Sequence, residues 1–299
     1  MQSPDETPQC IIFVHGFNIT YEDSTNYAET MFKRLWWRGY KGRFAAFRWP
    51  TFGSGGILGA IGTYNDSEYM AWNSGVALKQ FVSTMPSNYS INLVAHSMGN
   101  MVAGEALREG MPANHYAMLH AATSASCYGN QDFQYTVTNT GTPTADTDLD
   151  PGTRSLAYTG WLGSINGGPI NFYDANDTVV GSKWNVNNAL FKPQFGTIDV
   201  WHYFYNPNLF AGQKLGFVPA GGATTRFVTD PAEAKAYVDY SLTGTIGLGL
   251  NGTQGGSIVD SVDDSGFGDE HSSEWGRNIQ QLLPFYNTLM DKFELKKNP

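Results

Sequence analysis

An α/β architecture, with a mainly parallel sheet covered by helices on both faces, is what this sequence predicts. Three observations carry that reading. Short β-branched and apolar runs alternate along the chain with segments of helical period, the pattern that buries parallel strands between helices. The first such run, Cys10-Ile11-Ile12-Phe13-Val14, breaks sharply at His15-Gly16-Phe17-Asn18. A later one, Asn92-Leu93-Val94, breaks at Ala95-His96-Ser97-Met98-Gly99 and resumes as Met98, Met101, Val102 and Ala106 at helical spacing. A strand, a tight turn and a helix therefore hold one serine at the apex.

The elements follow in order. Residues 1–9 are polar and proline-bearing and read as a frayed tail before the first strand. Ser24–Arg38 has helical period, and Arg43–Trp49 is the next strand, closed by Pro50. Thr51–Thr63, with Gly53, Gly55, Gly56, Gly59 and Gly62, reads as a loop, either a pocket border or a plain connector. Asp66 is the expected cap of a helix through Met85 that turns Tyr69, Trp72 and Val76 to the core. Pro86-Ser87-Asn88 turns into the serine strand, and Tyr116–Ala121 is a fourth strand beyond the serine helix. Ile170-Asn171-Phe172-Tyr173 is a further strand, and Arg226–Thr229 is the candidate for the last. The run Trp275, Ile279, Leu282, Leu283, Tyr286, Leu289, Met290, Phe293 has helical spacing, with Pro284 expected to kink or divide it. Residues 10–299 thus read as one domain interrupted at about 122–160 and about 181–265. The second stretch is too long for a connection and reads in part as a lid or substrate wall.

Composition narrows the partners. At 299 residues with 41% hydrophobic content the chain can bury a large core. No apolar run approaches the ~20 residues of a membrane span. A net charge of -9 with 18 Lys+Arg repels polyanions, which excludes nucleic acid as a natural partner. No signal peptide opens the sequence as given, while few charges and many Asn, Thr and Gly lean toward a secreted or cell-envelope setting. Of two cysteines, Cys10 reads as a small core hydrophobe, and a bridge to Cys127 stays open. The acidic run Asp260, Asp263, Asp264, Asp269, Glu270 does not match a calcium loop and reads as solvated surface, so no metal and no cofactor is expected.

The serine turn carries the chemistry. A hydroxyl is a poor nucleophile unless it stands clear of the backbone, near a base and at a helix N-terminus, and this turn supplies that setting. Two backbone amides flank the same spot. The N–H groups of Phe17, after the first strand, and Met98, after the serine, are the candidate oxyanion hole, with Gly16 letting the main chain approach.

These residues resemble the α/β-hydrolase superfamily. Within it, the likeness is to bacterial serine hydrolases that carry a Val-His-Gly-aromatic-Asn opening, a Phe-x-Trp-Pro strand end and an Ala-His-Ser-Met-Gly-Asn elbow. Here these are Val14-His15-Gly16-Phe17-Asn18, Phe47-Arg48-Trp49-Pro50 and Ala95-His96-Ser97-Met98-Gly99-Asn100, with Tyr64-Asn65-Asp66-Ser67 and Ala71-Trp72-Asn73-Ser74-Gly75 between them. The likeness is dense over 10–110 and returns near 156–193 and 267–293. It implies an α/β-hydrolase fold that here lacks the opening antiparallel strands. It also implies a triad in the chain order Ser, acid, His. Asp177, ahead of a small apolar pair, is then the acid, with Asp174 as its rival. His271, just before the last helix, is the base, with His202 as its rival. His15 and His96 bond locally, and His115 and His120 are packed structural histidines. The expected activity is hydrolysis of a small or polymeric carboxylic ester, lipase-like if Trp36, Trp37, Trp161, Trp184 and Trp201 furnish apolar walls. The alternatives are acyl transfer through the same triad, and a non-catalytic binding module on a hydrolase fold.

Overall fold

A six-stranded sheet organises the chain, in the spatial order β10-β7-β4-β3-β1-β2. The computed structural model describes residues 6–51, 57–122, 134–135, 154–155, 162, 165–174, 177, 215–217, 226–228, 260–264, 271–276 and 278–295. The elements are β1 (Gln9–Val14), α1 (Tyr21–Trp37), β2 (Arg43–Phe47), α2 (Ile57–Ser83), β3 (Ser90–His96), α3 (Gly99–Arg108), β4 (His115–Leu119), β5 (Gln134–Tyr135), β6 (Arg154–Ser155), β7 (Pro169–Tyr173), β8 (Leu215–Phe217), β9 (Arg226–Val228), β10 (Asp260–Asp263) and α4 (Ile279–Lys292). Every pairing within the large sheet is parallel. Two small antiparallel pairs, β5 with β6 and β8 with β9, stand apart from it. The strand order and all-parallel pairing are those expected of an α/β-hydrolase sheet, and among the described residues no antiparallel strand opens the large sheet.

Alternation along the buried strands divides the core into two layers. Cys10, Ile12 and Val14 of β1 and Leu93 and Ala95 of β3 pack with α2 and α3 through Ala71, Leu78, Met101 and Val102. Ile11, Phe13, Val94 and Phe172 face the other way, against Met31 and Leu35 of α1 and Phe285, Leu289 and Met290 of α4. Cys10 is a free thiol in the first layer, and burial pushes its pKa up to about 11. Cys127 lies outside the described residues.

Several elements depart from the sequence expectation. Helix α1 starts at Tyr21 because Thr20 caps it, its Oγ1 accepting the Asp23 N–H at 3.1 Å. Helix α2 begins at Ile57, within the glycine-rich stretch read as a loop, and Val76 on it is exposed. The last strand of the large sheet is β10, whereas Arg226–Val228 pairs only with β8. Pro284 lies inside α4 without dividing or ending it. It faces solvent, where water can serve the carbonyl that a proline leaves without a donor. Trp36 and Trp37 are exposed at the end of α1, which carries the chain back to the amino edge of the sheet, so they wall no site at the opposite edge. Trp161, Trp184 and Trp201, and most of the two expected insertions, lie outside the described residues. Among those residues, no helix is long and apolar enough to cross a membrane.

Candidate active site

The chain runs from β1 outward to β2, then returns to lay β3 on the other side of β1. A parallel sheet opens a crevice at the carboxyl ends of its strands where the order reverses. His15-Gly16-Phe17 leaves β1 there, and Ser97 leaves β3 beside it.

Ser97 sits at φ 52°, a left-handed conformation that is costly for any residue but glycine. Its surroundings enforce it. The Ser97 N–H donates to Leu119 O of β4 at 2.9 Å. The fully buried Asn100 side chain donates from Nδ2 to Ser97 O at 2.8 Å and to Ala95 O at 3.2 Å, while its Oδ1 accepts the Tyr116 hydroxyl at 2.8 Å. Asn100 is thus a clamp across the turn, a role for which its place in the motif was the available signal. Close approach does the rest. A Cβ on Gly99 would lie 2.5 Å from His15 O and 2.6 Å from Val14 O, and one on Gly16 would lie 2.8 Å from Ser97 Cβ.

The loop after β1 is tied to the strand end of β2. His15 stacks on Trp49 with ring centroids 5.5 Å apart. Its Nδ1 lies 2.8 Å from Gly16 O, and its Nε2 faces the Trp49 N–H at 3.4 Å, partners that fit a neutral ring protonated on Nδ1. The Trp49 indole donates to His15 O at 2.7 Å. Phe17 follows on this pinned loop. The Met98 N–H lies at the amino end of α3, where helix amides have no intrahelical acceptor.

The candidate acid and base arrive from the other side. Asp177, fully buried, lies past the end of β7 with its N–H donating to Asp174 O at 3.0 Å. His271 Nδ1 stands 2.6 Å from Asp177 Oδ2. Of the two rival acids, Asp177 makes this contact, and Asp174 supports the turn beneath it. The turn behind His271 is anchored by α1 and α4. Arg34 donates to the carbonyls of Glu274 and Gly276, the Tyr286 hydroxyl to Glu274 O, and the Trp275 indole to Tyr27 O. His96, next to the serine, donates through Nε2 to His271 O at 2.7 Å. His271 Nε2 is buried without a hydrogen-bond partner, so no bond from the Ser97 hydroxyl reaches it. Such bonds commonly tighten only around a bound substrate. His202 lies outside the described residues.

One member was not foreseen. His120, expected to be inert packing, places Nδ1 2.8 Å from the same Asp177 Oδ2. Its Nε2 stands 3.0 Å from Asp264 Oδ2 and 3.2 Å from Glu274 Oε1. All four side chains are buried, which corrects the reading of Asp264 as solvated surface. Burial alone would lower the His120 pKa, but Glu274, Asp264 and Asp177 outweigh it and raise it well above the ordinary value. Burial would likewise raise the Asp177 carboxyl, yet His271 and His120 hold it below the usual range. Two groups, His120 with Asp177 and His271 and His120 with Asp264 and Glu274, have ligand atoms within 4.8 Å and are the places where a cation could sit. Within them, the two contacts to Asp177 at 2.6 and 2.8 Å are hydrogen bonds, and those of His120 Nε2 at 3.0 and 3.2 Å are ion pairs.

His15 and His96 set an acid limit on stability. Burial lowers them from 6.5 to about 4 and about 3. As pH falls from about 6.5 to about 4, the unfolded chain gains these protons and the folded chain does not, so stability drops on acidification. For His15 alone the loss approaches roughly 3 kcal/mol at 1.36 kcal/mol per unit. Urea unfolding across that window should show His15→Gln with a shallower acid slope than the parent; equal slopes would refute the assignment.

Residues 2–128 match the protein family described as "Alpha/beta hydrolase of unknown function (DUF900)". None of the curated proteins compared with the chain matches it. Among solved structures, the catalytic core domain of acetyl xylan esterase from Trichoderma reesei is 14% identical, covering 44% of this chain and 68% of that one, with a TM-score of 0.29. Tomato methylketone synthase I, solved with 2-tridecanone, is 11% identical over 95% of this chain and 98% of its own, at 0.40. An esterase from Pyrococcus furiosus is 18% identical over 60% and 66%, at 0.33. Likenesses this distant say nothing of a substrate.

Proposed function

We propose that this chain, an α/β hydrolase by fold, is a serine hydrolase of carboxylic esters, with Ser97 as nucleophile, His271 as base and Asp177 as the acid that orients it. The observation that carries the reading is the 2.6 Å contact of His271 with a buried, ionised Asp177, made at the sheet edge where Ser97 is held left-handed.

In this scheme His271 Nε2 takes the Ser97 hydroxyl proton as Oγ attacks the ester carbonyl. The N–H groups of Phe17 and Met98 receive the oxyanion, and losing one such donor typically raises the barrier by about 3–4 kcal/mol. The tetrahedral species collapses to an acyl-serine and expels the alcohol, which takes its proton from His271. Water, deprotonated by the same imidazole, then releases the carboxylic acid. Asp177 stays ionised and fixes the tautomer with Nε2 free to accept.

The test is a fluorophosphonate probe with mass mapping, run beside p-nitrophenyl esters from C2 to C16. The expected result is one adduct on the peptide carrying Ser97 and saturable ester hydrolysis. An unlabelled, inert chain would return it to the class of binding modules, and labelling elsewhere would remove Ser97 from the mechanism.

A further inference from the structure

We propose that His120 is a positioning residue for the triad acid, gripping Asp177 Oδ2 alongside His271 and coupling it to a buried carboxylate pair, Asp264 and Glu274. The inference rests on the triad reading and extends it from three side chains to six.

The geometry is a shared oxygen. Asp177 is wholly buried, and one oxygen receives two imidazoles, at 2.6 Å from His271 and 2.8 Å from His120. Two imidazoles on one oxygen restrict the carboxylate more than either would alone, and so favour the alignment that keeps the base in the correct tautomer. On the far edge of the His120 ring, Nε2 lies 3.0 Å from Asp264 Oδ2 and 3.2 Å from Glu274 Oε1, ion-pair distances at which neither oxygen is aligned with the ring for a hydrogen bond. A neutral imidazole would aim a lone pair at one side of this cage. Only the doubly protonated ring presents positive charge to carboxylates on both sides, one through the Nδ1 hydrogen bond to Asp177 and two through ion-pair contacts at Nε2, and the raised pKa of His120 agrees.

The backbone carries a second, independent sign. His120 is left-handed at φ 42°, with its N–H donating to Phe172 O at 3.1 Å. Two neighbouring strands, β3 and β4, thus each end in a strained non-glycine residue, Ser97 and His120. Strain of that kind persists where the surroundings over-determine a side chain's direction. The described ionisable groups facing His120 are Asp177 beyond β7, Asp264 beyond β10, Glu274 in the turn after His271, and the rings of His96 and His271 at 6.4 and 5.7 Å.

Charge gives the array a signature that simple packing lacks. Removing the His120 cation leaves the base facing carboxylates only, which favours its protonated form, so the acid limb of activity moves to higher pH. Removing one carboxylate moves it to lower pH. The experiment uses His120→Gln and Asp264→Asn in the full chain, reading p-nitrophenyl butyrate kinetics and fluorophosphonate labelling rate from pH 5 to 9. Expected for His120→Gln are a kcat lower by about 10- to 100-fold, as for a small misalignment of a catalytic group, a KM within about twofold, and an upward limb shift. Asp264→Asn should shift the limb downward. Nitrogen-15 NMR of the wild-type imidazoles should find one histidine, absent from His120→Gln, doubly protonated at pH 8. If His120→Gln does not fold, Asp264→Asn and the wild-type spectrum still decide. A neutral His120 at pH 8, a stoichiometric metal ion on Nε2, or variants that keep the parent limb would overturn the proposal while leaving the triad intact. A wild-type chain that neither labels nor turns over ester would sink the triad reading and this one together.

Discussion

Ser97→Ala is expected to lower kcat/KM for p-nitrophenyl butyrate by about 10⁴- to 10⁶-fold, the loss seen when a triad nucleophile is removed. The substitution deletes one oxygen and keeps the Cβ that lies near Gly16, so binding and fold should survive. The residual rate over water would come from the amides of Phe17 and Met98 and from substrate positioning. His271→Ala should cost a similar factor, and the double variant little more, because the two side chains act on one proton transfer. His202→Ala should keep turnover. Activity that persists in Ser97→Ala within tenfold of the parent, with an unchanged melting temperature, would end the assignment.

The largest structural effect is expected at Gly99. A methyl there would meet two carbonyl oxygens, that of His15 just past β1 at 2.5 Å and that of Val14 at its end at 2.6 Å, and backbone cannot swing aside as a long side chain can. The amino end of α3 would have to lift off β1, carrying Met98 and the proposed oxyanion site with it. Gly99→Ala should therefore destabilise by about 3 kcal/mol and depress activity at temperatures where the variant is still folded. Gly110 is the control. Its φ of 86° is strained for alanine, yet nothing lies within 4 Å of the added carbon. Gly110→Ala should cost only about 1–2 kcal/mol and leave turnover intact. Urea unfolding separates the two, and equal costs would show that space plays no part at Gly99.

Local signals made much of this readable from sequence. The first strand with its His15-Gly16 exit and the serine turn each combine an abrupt change of period with small residues, and both stand where that pattern puts them. What escaped was set by tertiary context. Gly59 and Gly62 punctuate Ile57–Ser83, yet the helix runs through both. Asp260-Ser261-Val262-Asp263 offers one apolar residue, enough for a strand at the sheet's edge that has a single neighbour, and too little to announce one. His120 was taken for packing because its importance depends on Asp177, Asp264 and Glu274, which lie 57, 144 and 154 residues further on. Its place at the carboxyl end of a strand next to the serine strand was the one clue available.

The left-handed backbone at Ser97 has a consequence for the durability of the molecule. Glycine adopts that conformation freely, whereas serine raises the energy of the native chain there by about 1–2 kcal/mol, partly offset by the greater flexibility glycine gives the unfolded chain. Ser97→Gly should accordingly melt no lower than the parent, and by this reasoning slightly higher, while losing all chemistry that needs the hydroxyl. Heat resistance and reactivity then pull in opposite directions at a single position, and screening for thermostability alone would favour the inert chain.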